Sequence, residues 1–310
     1  MKYPRKLCPS DSEDTVHFCA VGGQMLSFRN RPGEYGVNRY QSLVLASAAC
    51  VEAIRCAFED GVPLHAMRAL DVCCGAGPAA LALKMMGIGY VEASDVSDAA
   101  IERCQWHASL NKIAVDRIVR RDLLGDAVAE SGKFHLIAST PPCARSGFVD
   151  SSLPEQLQVA IDGGESGAEI TVRLVRGIPQ HLRAGGRLVL TLPSTIDVAS
   201  VVQALRESFG QAWRMAPCCP TASRYFPSDH PFAKQLLAER KRGSVFVWEG
   251  ADGWLWRLTW ILVAIHGGSA CTGTGLCYAP YGMSDLDDDY WRAIDERGLS
   301  PSDLFEAAAT

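Results

Sequence analysis

In the stretch "LDVCCGAGPAALAL" an acidic residue, Asp71, stands just ahead of a Gly-x-Gly turn made by Gly75 and Gly77. Glycines at such a turn let the backbone approach a ligand closely, because a Cβ would collide. The position that a dinucleotide fingerprint fills with its third glycine is Ala80, so no pyrophosphate needs a seat. Asp95, followed by Val96, ends "GYVEASD", where a carboxylate can accept two hydrogen bonds from a ribose diol. Asp122, beside Leu123 in "RRDLL", joins an acceptor for an adenine amino group to a flat apolar face. Three acids in this order, with glycines at the first, predict a site for a nucleoside that lacks phosphates.

A second constellation lies in "FHLIASTPPCARSG", where Thr140-Pro141-Pro142-Cys143 follows an apolar run. Two prolines stiffen this corner and turn its carbonyls toward a site. The Thr140 hydroxyl offers one donor and two acceptors on a short arm, and Cys143 offers no ring. Substrate contacts are expected from polar aromatic residues elsewhere: Tyr35 and Tyr40 before the first apolar strand, and Tyr225 and His230, with Phe226 and Trp254, after the last helix. Asp162, Glu165 and His230 are candidate bases, although "IDGGESG" reads equally as a loop capping the next helix. His135, inside a strand, reads as a core residue.

The elements that must position these groups alternate. "RALDVCC" is a short apolar strand of the kind buried in a parallel sheet, "GYVEASD", "DRIVRRD", "FHLIAS" and "GRLVLTLP" read as further strands, and helical patterns separate most of them. A helix starts at Pro78 and stops at Gly87, and one over about 166–184 is expected to kink at Pro179. This alternation predicts an α/β fold, a doubly wound Rossmann-like sheet. Residues 1–65 are expected to form a helical N-terminal cap or lid, 66–270 the catalytic domain with an insertion over 217–256, and 271–310 a tail.

The net charge of −5 and a pI near 5.8 argue against a nucleic-acid partner. Twelve cysteines show no CxxC pair and no histidine at ligand spacing, so no metal site is expected. They fit a reduced, cytoplasmic protein. The longest apolar stretch, Trp254–Ile265, contains Arg257 and is too short to span a bilayer.

From Arg68 to Leu192 these motifs resemble the class I S-adenosylmethionine (SAM) dependent methyltransferases, and among them the release-factor glutamine methyltransferase (HemK-like) family. The resemblance implies a mostly parallel seven-stranded sheet and SAM as cofactor. Asp71, Gly75 and Gly77 would hold its methionine part, Asp95 with Val96 the ribose, and Asp122 with Leu123 the adenine. The family ends its fourth strand in Asn-Pro-Pro-aromatic, which holds a planar nitrogen of the acceptor. Thr140-Pro141-Pro142-Cys143 keeps the prolines and loses that pair of side chains. Displacement at a sulfonium carbon needs little beyond alignment, so transfer can survive the change. The reading is therefore a transferase of secondary metabolism that methylates a small-molecule substrate and releases S-adenosylhomocysteine (SAH). The alternatives are a SAM cyclase of the azetidine-2-carboxylate synthase type, releasing methylthioadenosine, and a protein glutamine N-methyltransferase. A non-catalytic SAM-binding protein is a further reading.

Overall fold

A computed structural model of the chain describes residues 14–19, 24–30, 36–37, 41–125, 127, 133–217 and 223–268. Strands β1 (Asp14–Cys19) and β2 (Met25–Asn30) pair antiparallel. Val16, Phe18, Leu26 and Phe28 alternate inward along them, the period of a half-buried hairpin. Helix α1 (Ser42–Asp60) ends at Gly61, whose left-handed φ of 65° suits a residue without a Cβ.

The alternating core follows: β3 (Arg68–Val72), α2 (Pro78–Met85), β4 (Tyr90–Asp95), α3 (Asp98–Leu110), β5 (Arg117–Arg120) and β6 (Phe134–Ser139). Pro78 opens α2 where its missing N–H matters least, and the Ser97 side chain caps α3 by accepting from the Ala100 N–H. Next come α4 (Glu155–Ile161), α5 (Glu169–Gly177), β7 (Leu182–Pro193), α6 (Val198–Phe209) and β8 (Trp213–Pro217). The expected long helix over 166–184 is shorter: Pro179 turns the chain into a 3-10 turn at Ile178–Gln180 and so ends α5 instead of kinking it.

The last described elements are β9 (Ser223–Pro227), α7 (Pro231–Arg240), β10 (Val247–Glu249), β11 (Trp254–Arg257) and β12 (Thr259–Ile265). The main sheet has seven strands in the order β5-β4-β3-β6-β7-β12-β8. The pairs among β5, β4, β3, β6 and β7 are parallel, and β12 runs antiparallel to both β7 and β8. Adjacent strand residues face opposite layers, so Ala69, Leu136 and Val189 join the core under α1 and α2. Leu70, Ile137 and Leu190 join the core shared with α5 and α6.

The insertion after the sixth strand is a small unit of its own. It consists of a three-stranded antiparallel sheet, β10-β11-β9, with α7 and a separate core around Phe226, Leu236 and Leu255. Asp252 Oδ1 accepts the Trp254 N–H at 3.1 Å in the hairpin between β10 and β11, where Gly253 takes a φ of 74°. The expected helical cap over 1–65 differs from what is found. Among the described residues this part holds a hairpin and a helix, and α1 packs on α2, β6 and β7 as part of the layer covering the sheet. Its small residues Ala46, Ala49 and Ala53 are completely buried, which allows that close approach. The tail over 271–310 lies outside the described residues. Among the described residues no helix is long and apolar enough to cross a membrane.

Candidate functional site

Strand order reverses between β3 and β6, and an open α/β sheet binds ligands at the carboxyl ends of the strands beside such a switch. Val72 and Ser139 are the last paired residues of these strands, and the Ser139 hydroxyl donates to the Val72 carbonyl at 2.8 Å. The residues just beyond them, Cys73 and Thr140, open into a cavity of about 440 Å³. Asp95 at the end of β4, with Val96 and Ser97 after it, forms its floor together with Thr140 and Pro142 of the corner. Arg103 and Trp106 of α3 and Gln156 and Val159 of α4 form its walls.

The glycine turn lies behind this floor. Gly75, at φ 51°, donates its N–H to Asp95 Oδ2 at 3.0 Å, while Oδ1 accepts the Ser97 N–H at 3.0 Å. One carboxylate thus ties the ends of two strands together. Burial pushes the Asp95 carboxyl above its ordinary range, against the opposing effect of the Ser97, Gly75 and Val96 N–H groups. Gly77 is glycine for a packing reason as well: at φ 85°, a Cβ there would lie 2.5 Å from the Cys104 sulfur. Cys73 holds a φ of 55° with a side chain in place, a conformation that glycine adopts freely and other residues rarely do. Burial raises the pKa values of the Cys73 and Cys143 thiols, so neither is poised as a thiolate nucleophile.

Asp71 sits deeper still and accepts the Ala80 N–H at 3.0 Å, anchoring the first turn of α2. Burial pushes its carboxyl up to about 7, opposed by the Ala80 N–H and reinforced by the Asp95 charge. An unfolded aspartate ionises near pH 4, so between about pH 4 and 7 the folded state binds the proton more tightly. Stability therefore falls as pH rises across that window and levels off above it. Asp71→Asn removes the titration and keeps an acceptor for Ala80. Its melting temperature is expected to exceed the parent's by several degrees at pH 8 and to match it at pH 4, by thermal denaturation at both values. An equal difference at both would exclude the titration.

The proline corner is braced from below by the glycine-rich loop after α4. Ala144 N–H donates to the Ile161 carbonyl at 2.8 Å and Gly163 N–H to the Ala144 carbonyl at 2.7 Å. A Cβ on Gly163 would lie 2.7 Å from the Pro142 carbonyl oxygen, so this close approach requires a glycine. Arg145 then clamps the corner to the insertion, with Nε donating to the Thr195 carbonyl at 3.1 Å and Nη1 to Glu239 at 3.0 Å. Cys143 turns toward Gln41 and Arg257.

The cavity thus brings together Asp95, Val96, Thr140 and Pro142, whereas Asp71, Gly75 and Gly77 support it from behind. Asp122 is exposed and ion-paired to Arg173 at 2.6 Å, and neither it nor Leu123 lines this cavity. Strand β5 ends at Arg120, and Asp122 lies exposed in the turn that follows. Tyr225 is buried in the insertion beneath Arg257, and His230 stacks on Phe226 while its Nδ1 accepts the Phe232 N–H. Both build the insertion's core and do not line the cavity. Tyr35 and Tyr40 lie outside the described residues. Asp162 is held by the Ser146 hydroxyl and the Gly164 N–H, as a turn residue is. His135 is a core residue whose Nδ1 accepts the Arg68 N–H at 3.0 Å. Sequence reasoning missed Cys73, Trp106 and α4, whose only signal was a short polar run before "IDGGESG".

These residues suit a cationic nucleoside such as SAM. The floor carries the Asp95 carboxyl, and Thr140 Oγ1 is buried without a hydrogen-bond partner among the described residues. A buried hydroxyl in that state is satisfied by a ligand or water.

Residues 33–158 match the family model of the methyltransferase small domain. Over 135 residues the chain is 29% identical to the ribosomal protein uL3 glutamine methyltransferase of Bordetella pertussis, covering 42% of this chain and 45% of that protein. Over 117 residues it is 27% identical to a Methanocaldococcus jannaschii protein named for protein N5-glutamine methyl transfer, covering 38% and 57%. The chain spans about half the length of the curated relatives it matches. Among solved structures, the 16S rRNA N2 G1207 methyltransferase of T. thermophilus superposes with a TM-score of 0.47 at 18% identity, covering 82% of this chain and 50% of that one. The curated relatives overturn the expected small-molecule partner, since each is named for a protein substrate, and none supports a setting in secondary metabolism. With this sheet order, this cavity and a family match over residues 33–158, the chain resembles the class I SAM-dependent methyltransferases, and among them the HemK-like glutamine enzymes.

Proposed function

We propose that this chain methylates a side-chain amide nitrogen, of the glutamine type, on a protein acceptor of the translation apparatus. The names of the curated relatives support the acceptor class. The observation that carries it to this site is Thr140 Oγ1, buried, without a hydrogen-bond partner among the described residues, and lining the same cavity as Asp95. An amide N–H entering the corner meets an oxygen with free lone pairs. One hydroxyl supplies fewer contacts than the family's asparagine, so orientation depends more on the walls around it, Trp106 and Gln156 included. SAM, when bound, supplies the methyl carbon. Asp95 holds the ligand's polar edge, Thr140 aligns the nitrogen, and the braced corner keeps the two in register.

The test is transfer from methyl-deuterated SAM into cell extract split into protein and low-mass fractions. Label on glutamine in the protein fraction, with matching SAH, is expected. Label confined to the low-mass fraction, or methylthioadenosine formed without acceptor, would overturn the proposal.

Thr140→Val separates function from folding. It removes a buried hydroxyl that lacks a partner among the described residues, so the free protein should become more stable by about 1 kcal/mol. Transfer should fall by about tenfold, the scale of one lost hydrogen bond to the aligned nitrogen. Urea unfolding and the transfer assay check the two signs. A fall in both would mean that the hydroxyl is structural.

A further inference from the structure

Helix α3 forms a wall of the cavity on one side and grips the N-terminal hairpin on the other. Its Asn111 side chain accepts the Ser27 N–H at 2.7 Å and donates to the Ser27 carbonyl at 2.9 Å. Arg103, itself a cavity residue, donates to the Arg29 carbonyl. Between them His107, without exposed surface, accepts the Arg29 N–H at Nε2 over 3.2 Å and presents Nδ1 to the Ala76 carbonyl at 3.1 Å. A nitrogen facing a carbonyl must carry the proton, and one facing an N–H must not, so these partners select one neutral tautomer. Ala76 stands between the two turn glycines, so the imidazole reaches the cofactor loop from behind. The rings of Phe28 and Trp106 meet it edge-on at 5.1 and 4.9 Å, fixing its plane, and Trp106 is a cavity wall as well. The hairpin precedes the family match, which begins at residue 33.

We infer that His107 is a positioning residue that couples the hairpin of β1 and β2 to the Gly75–Gly77 loop, so that seating of the hairpin and binding of the cofactor reinforce one another. Such coupling is reciprocal: a ligand that fixes the loop must also protect the hairpin. The inference rests on SAM as cofactor and not on the identity of the acceptor.

The experiment titrates SAH by calorimetry and follows amide exchange at Arg29 with and without it. In the parent, SAH is expected to slow that exchange. His107→Gln can still accept from Arg29 but no longer reaches Ala76, and should weaken SAH by about fivefold. His107→Asn keeps a donor for Ala76 and releases Arg29. In both variants SAH should no longer slow exchange at Arg29. Asn111→Ala leaves the imidazole in place and loosens the hairpin at Ser27, so it guards against a variant that merely misfolds. It should weaken SAH by about threefold. The coupling is overturned if SAH leaves Arg29 exchange unchanged in the parent, or if Asn111→Ala binds SAH as tightly as the parent does. A parent that binds no SAH would instead remove the cofactor assignment on which the coupling stands.

Discussion

Asp95→Ala is expected to weaken SAH binding by about a hundredfold, whereas Asp122→Ala should leave it within about twofold. Both acids end or follow strands of the parallel sheet, and the sequence pattern treats them alike. The structure separates them. Asp95 lines the cavity and accepts the Gly75 and Ser97 N–H groups, each at 3.0 Å, so alanine releases the glycine turn and removes a contact to ligand. Hydrogen bonds to a charged group contribute about 1.5–3 kcal/mol each, and the two that a ribose diol would donate to Asp95 amount to about 3 kcal/mol or more, which is about two decades in affinity. Asp122 spends its charge on Arg173, with both side chains more than half exposed, where water screens the pair. Asp95→Asn keeps one acceptor and should fall between the two. Calorimetric titration of the three variants decides the matter. If Asp95→Ala bound within threefold of the parent, the ligand would have to lie elsewhere than this cavity.

That contrast shows where sequence stops being informative. Strands β3, β4, β6 and β7 could be read because each is largely buried on both faces, whereas β5, at the sheet edge, has Ile118 and Val119 between two arginines and is only half-buried. Asp71 and the turn glycines could be found because backbone geometry demands particular residue types there. The direction in which Asp122 points is set by a single turn after Arg120, and no residue type records it. The hairpin of β1 and β2 did leave a mark, the alternation of Val16 and Phe18 and of Leu26 and Phe28, but two buried apolar positions per strand are too few to stand out in a polar lead. Tyr225 and His230 read as polar aromatics near a site because their partners, Arg257 and Phe226, come together only when the insertion folds. The altered corner was visible at once. That its hydroxyl is buried and without a partner among the described residues was not, since partnership is a property of the fold.

The largest effect on stability is expected far from the cavity. Glu52 of α1 is completely buried and accepts from Arg187 of β7 at 2.8 Å and from Arg214 of β8 at 2.7 Å. Removing one partner from a buried pair of this kind costs about 3–5 kcal/mol, because the remaining charge keeps its desolvation penalty. Glu52→Ala should therefore consume a large share of the roughly 5–15 kcal/mol that holds a domain folded, seen as a lower urea midpoint. Glu59 accepts from the same Arg187 at 2.5 Å, but its side chain is 53% exposed, and Glu59→Ala should cost less than about 1 kcal/mol. Two carboxylates on one guanidinium then differ through burial and through the second arginine, Arg214, that Glu52 also accepts from. Equal, small losses would mean that water reaches Glu52 and that α1 is less tightly seated than it is here. Glu52→Leu combined with Arg187→Met should regain part of the loss, since a buried ion pair replaced by well-packed apolar groups is often neutral while Arg214 still loses the Glu52 carboxylate. Such a recovery would show that the charges specify how α1 docks on the sheet instead of adding net stability. That docking reaches the site: Gln41, at the start of α1, lies beside the Cys143 side chain at the proline corner. The doubly substituted protein should accordingly recover its fold while losing transfer if the ion cluster sets the position of α1, and recover both if it does not.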